Sequence, residues 1–135
     1  MKTTSFEISK KLAEIGFKAD KIEFAYKISD PSRHLFEVGF MGDSRRDEYC
    51  QAFDLETILE ALPKYLEQDN GFEAGLRFWW ADGASWIGYQ NFSGFIITVD
   101  VNQKESLADT AARLLILLHE KGLVKFPSQP TNLKD

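Results

Sequence analysis

Leu76-Arg77-Phe78-Trp79-Trp80-Ala81-Asp82-Gly83-Ala84-Ser85-Trp86-Ile87-Gly88-Tyr89 is the stretch that decides the fold. Asp82-Gly83 has the chemistry of a two-residue hairpin turn, in which both central positions need positive φ. Counting outward from it pairs Trp80 with Ser85, Trp79 with Trp86, Phe78 with Ile87 and Leu76 with Tyr89. Side chains alternate across a strand. Leu76, Phe78, Trp80, Ile87 and Tyr89 are therefore predicted to face a core. Arg77, Trp79, Trp86, Gly88 and Gln90 fall on the opposite face.

Downstream, Phe95, Ile97, Val99 and Val101 alternate as a further strand. Ser106 and Asp109 then form the capping pair of a helix. Leu107, Ala111, Leu114, Leu115 and Leu118 share one of its faces, and Ile116 and Leu117 widen the apolar arc. Gly122 is its stop signal, with Leu123 placed to cover Leu118. His119 and Lys121 lie in the last turn, where the helix dipole favours positive charge.

Upstream, Asp54 is a good N-cap for a helix carrying Leu55, Ile58, Leu59 and Leu62 on one side. Pro63 should end or kink that helix near Leu62, because it lacks a backbone donor and clashes with the carbonyl of Leu59. Gln68 to Gly71 reads as a loop. Before it, Ile22 to Ile28, the run Phe36-Val38-Phe40, and Tyr49 to Phe53 read as three strands. Asp30-Pro31-Ser32 is a turn between the first two, and residues 42–46 a polar loop. At the start, Thr4-Ser5-Phe6-Glu7 fits a capping box with Thr4 as N-cap. Ile8, Leu12 and Ile15 follow on one face, and Gly16 closes the helix. The chain is thus expected to be α+β: antiparallel strands in α-βββ-α-βββ-α order, with the helices packed on the sheet.

The chain has 135 residues, 44% of them apolar, which suits one domain with one core. That domain is expected over residues 1–126, with 127–135 a flexible tail rich in polar residues. The stretches Ser5 to Leu12 with Gly16-Phe17-Lys18, Ala52 to Leu55 with Leu62-Pro63-Lys64, and Ser106 to Ala112 with Gly122-Leu123 recur in this order. Together they resemble a group of small uncharacterised proteins of phages, prophages and other bacterial mobile elements. The resemblance implies a bacterial or phage setting and an accessory role. It transfers no activity and no functional residue. Phe78-Trp79-Trp80 is more aromatic than that group.

The net charge of −5 argues against duplex nucleic acid, whose binding depends on Lys and Arg neutralising phosphates. The best basic pair, Arg45-Arg46, is neutralised by Asp43, Asp47 and Glu48. The single cysteine, Cys50, excludes an internal disulfide. The first residues are too polar for a signal peptide and the longest apolar run too short to span a bilayer, so a cytoplasmic location is expected.

No phosphate loop, dinucleotide fingerprint or nucleophile elbow occurs. His119-Glu120 begins like a zinc-protease helix, but position 123 is Leu, and a metal site needs about three protein ligands. Cys50 reads as a small buried side chain and His34 as a solvated loop residue. No cofactor, metal or catalytic residue is expected. The feature that stands out is Trp79 opposite Trp86 with Arg77 nearby. Such a cross-strand pair stabilises a sheet by roughly 0.2–1 kcal/mol, so a purely structural role, including cover by another element, is one reading. Residues of this kind also anchor interfaces. A non-enzymatic protein contacting a partner or its own copy through Arg77, Trp79 and Trp86 is the leading expectation. A small-ligand protein or enzyme with an unrecognised pocket, and a single-strand nucleic-acid protein stacking bases on its aromatics, are the alternatives.

Overall fold

A computed structural model describes residues 3–18, 24–37, 48–67, 73–81, 84–91, 94–101, 104–124 and 126. The polar loop with Arg45-Arg46, the Asp82-Gly83 turn, the Trp80 side chain and the 127–135 tail lie outside the described residues. The elements run α1 (Phe6–Glu14), β1 (Phe24–Lys27), β2 (Leu35–Glu37), β3 (Tyr49–Ala52), α2 (Leu55–Ala61), β4 (Tyr65–Glu67), β5 (Glu73–Ala81), β6 (Ala84–Asn91), β7 (Gly94–Asp100) and α3 (Leu107–Glu120). The class is α+β, and among the described residues the strands pair antiparallel in two sheets ordered β2-β1-β3 and β4-β5-β6-β7.

Strand β4 adds one strand to the expected order. Its three residues begin one residue beyond Pro63, after Lys64, too short a run for alternation to be read from the sequence. Only Leu66 of the three is buried, and β4 pairs with the start of β5. Pro63 does end α2, and its carbonyl accepts the Tyr89 hydroxyl at 2.6 Å.

The hairpin register is the expected one, with Trp79 opposite Trp86, Phe78 opposite Ile87 and Leu76 opposite Tyr89. Helix α3 packs against β6 and β7. Ile87 and Tyr89 are therefore fully buried, whereas Phe78, one strand further out, is 49% exposed. In β7, Tyr89 pairs with Ile97 but Gln90 pairs with Phe95, leaving Ile96 as an extra, bulged residue. The bulge shifts the pairing with β6, while burial still alternates from Ile96 to Asp100 as expected. Ile97 and Val99 face inward, and Ile96 is exposed.

Helices α1 and α3 end in the same way. Gly16 and Gly122 adopt positive φ (92° and 73°). The next residue's N–H donates back to Leu12 O (2.9 Å) and to Leu118 O (2.8 Å), which satisfies carbonyls the helix leaves open. Leu123 is exposed, so whatever cover it gives Leu118 is partial. Phe126 is buried instead, against Phe17 and the His119 ring. The main core joins α1, α2, α3 and the inner face of the four-stranded sheet. A smaller cluster of Phe6, Tyr26, Cys50 and Ala52 lies between α1 and the other sheet.

The N-cap of α1 is Ser5, not Thr4. Thr4 is fully buried, and its hydroxyl accepts from Phe53 N–H (3.1 Å) and bonds Ser9 Oγ (2.7 Å). Its N–H also donates to Phe53 O at 2.8 Å, and Thr3 before it pairs with Asp54 in a short antiparallel bridge, so Thr4 lies ahead of the helix rather than starting it. Shifting the cap by one residue also takes Glu7 out of capping-box position. The Ser5 N–H, which such a glutamate would satisfy, donates instead to Asp109 Oδ1 at 2.7 Å.

Candidate functional site

The face of the four-stranded sheet turned away from α3 is built by strand alternation. Register puts Tyr65, Gly75, Arg77, Trp79, Trp86, Gly88 and Thr98 there. Trp79 and Trp86 stack, with ring centroids 5.8 Å apart and planes 18° from parallel. An offset stack of two indoles adds stabilisation beyond its buried area. Trp79 remains 46% exposed even so, and Trp86 is half-buried.

Arg77 does not stand beside the tryptophans. It folds the other way along β5, bonds Leu76 O at 2.9 Å, and lies over Gly75, where a Cβ would come within 2.8 Å of its Nη1. Its stem and charge therefore extend the face toward Tyr65, which sits opposite Gly75 and is 59% exposed. The face thus runs from Tyr65 past Arg77 to the indole pair. Sequence reasoning misses Tyr65 because it misses β4; the sole signal was an aromatic two residues after a helix-ending proline.

His34, Cys50 and His119 occupy three separate places. His34 sits in the exposed turn after β1, against Ser32 and Phe36. His119 lies flat on Phe126 at the end of α3, with rings 5.2 Å apart. Cys50 is buried on β3, and burial pushes its thiol up from the ordinary value. Among the described residues no group of three or more His, Cys, Asp or Glu is placed to hold a metal ion. No helix among them is long and apolar enough to cross a membrane.

The most connected polar groups tie α1 to α3. Ser106 Oγ caps α3 by accepting from Asp109 N–H (3.1 Å) and donates to Thr3 O (3.0 Å). Tyr26 OH donates to Thr4 O at 2.8 Å. Asp109, buried at this seam, has its carboxyl pushed up from 3.8, chiefly by burial, while the bonds from Ser5 pull the other way. The folded chain therefore holds this proton more tightly than the unfolded chain. Stability from Asp109 is fully present below pH 3.8 and is lost as pH rises through the raised folded value. Asp109→Asn keeps an acceptor for Ser5 without the buried charge. Its stability relative to the natural chain should rise from acid to neutral pH in urea denaturation. Asp109→Ala leaves the Ser5 N–H unpaired and should cost about 1–3 kcal/mol. Equal pH profiles for the natural chain and Asp109→Asn would rule out this account of the seam.

Fold and face together define the class: a small α+β protein with a helix-covered core and an aromatic sheet face on the other side. Compared with known protein families, curated proteins and solved structures, the chain matches none.

Proposed function

We infer that this is a non-enzymatic binding protein that makes a protein contact through the Tyr65–Arg77–Trp79–Trp86 face. The single observation that carries the reading is the stacked Trp79–Trp86 pair, with Trp79 nearly half exposed on a sheet face that α3 does not cover. Flat, rigid aromatics with an arginine further along the same face supply contact area at small entropic cost, and such residues dominate interface energies. An exposed apolar patch on a sheet face commonly marks a contact surface. A second copy of the chain or another protein is the partner class. An accessory role in a phage or other mobile element, in the cytoplasm, belongs to the same proposal and rests on the resemblance of the capped helices.

The test replaces both indoles. Trp79→Ser with Trp86→Ser should cost the fold only about 0.2–1 kcal/mol for the lost cross-strand pair. It should abolish any concentration-dependent association seen by sedimentation, and any complex formed with the products of adjacent genes. Association that survives the double substitution defeats the proposal.

A further inference from the structure

A cleft of about 360 Å³ opens between α1 and the β1/β3 end of the smaller sheet, far along the chain from the tryptophan face. Its wall is mostly apolar: Phe6 and Ala13 from α1, Ile28 from the turn after β1, and Tyr49 and Cys50 from β3. Three charged side chains complete it, Lys10, Glu14 and Arg33. Ligand pockets are commonly 300–1,000 Å³, apolar, with a few placed polar groups, so the cleft is at the small end of that range.

Arg33 is the placed group. Its guanidinium carbon sits 3.8 Å from the centre of the Phe6 ring. Nη1 donates to Ile28 O (3.2 Å) and Asp30 O (3.1 Å). Those bonds use the Nη1 hydrogens, and among the described residues Nε and Nη2 have no partner. Nε–H and Nη2–H side by side form the planar fork that takes a carboxylate through two parallel hydrogen bonds. The stacking and the two carbonyls hold that fork in place, so a ligand need not order it. The Phe6 ring face is already occupied by this cation and does not recruit another. Lys10 has no ion pair among the described residues and adds a second positive charge; Glu14 is the one acidic group in the lining.

We propose that this cleft binds a small organic acid, one carboxylate on an apolar body of moderate length. The carboxylate meets the Arg33 fork with Lys10 nearby, and the apolar body lies against Phe6, Ala13, Ile28, Tyr49 and Cys50. The site is independent of the tryptophan face.

Octanoate is the probe, with 1-octanol as its uncharged counterpart, titrated calorimetrically into the full chain. Octanoate is expected to bind at one saturable site. Arg33→Gln should weaken it about tenfold or more, and Arg33→Lys, which keeps the charge without the fork, by less. Glu14→Gln should tighten it, and 1-octanol should be indifferent to all three changes. Cys50 is the chain's only cysteine and lines the cleft, so its alkylation by iodoacetamide at alkaline pH, already slow for a buried thiol, should slow further in the presence of octanoate. The double tryptophan variant should bind octanoate unchanged, which separates this result from the fate of the binding-face proposal. No saturable binding, binding undiminished by Arg33→Gln, or no protection of Cys50 overturns the assignment.

Discussion

Gly88→Val should leave no stable folded protein, and Gly88→Ala should cost about 3 kcal/mol or more, at or beyond the upper end of ordinary overpacking. A Cβ at Gly88 would stand 2.2 Å from Ile97 O and 2.8 Å from Thr98 Cα. Both are backbone atoms. Their positions are fixed by the pairs Ile87–Val99 and Tyr89–Ile97 on either side, so no side-chain rotation relieves the clash. The close approach lies beside the bulge between Tyr89 and Gln90. Gly122→Ala is the control. Open space surrounds that position, and only its φ of 73° opposes a side chain, so the cost should stay near 1 kcal/mol. Urea denaturation of the two alanine variants checks the difference. A Gly88→Ala protein as stable as Gly122→Ala would mean that β7 is not held this close to β6.

The same strand pair shows what the sequence made legible. The register from Trp80 to Tyr89 could be counted because a two-residue turn leaves no freedom in the pairing that follows. The faces followed from alternation, and Ile87, Tyr89 and Trp79 lie where counting puts them. Phe78 could not be placed by counting. Its exposure depends on where α3 comes to rest, over β6 and β7 and not over β5, and packing between elements is not written in local spacing. The β7 bulge escaped for a related reason: Phe95, Ile97, Val99 and Val101 satisfy perfect alternation, and the extra residue appears only against the partner strand. Asp54, Ser106, Gly16 and Gly122 were readable as helix ends because their chemistry acts within a few residues. Thr4 was misread because Phe53, 49 residues away, claims its hydroxyl. Of the binding face, the indole pair was legible and Tyr65 was not. The Arg33 cleft had no local signature at all, since its lining comes from α1, a turn and β3.

Leu118→Ala is the second large effect, expected to cost about 2–5 kcal/mol and to loosen the whole molecule. Leu118 is fully buried in the main core. Its helix is the one that packs on α1, on α2, and on β6 and β7. The smaller sheet is held through α1, which packs on β3 and meets α3 in turn. The bond from Ser5 to Asp109 ties the starts of the same two helices. A cavity in α3 therefore weakens the element through which both sheets are joined. The two sheets should unfold together, so fluorescence from the three tryptophans, all on β5 and β6, and far-ultraviolet circular dichroism should shift to the same lower urea midpoint. Leu123→Ala, one residue past the Gly122 stop, should change stability by no more than about 0.5 kcal/mol, because that side chain is exposed. Phe126, by contrast, is buried at the end of α3 against Phe17 and the His119 ring. Comparable losses for Leu118→Ala and Leu123→Ala, or separate transitions for the two probes, would show that α3 does not join the sheets in this way.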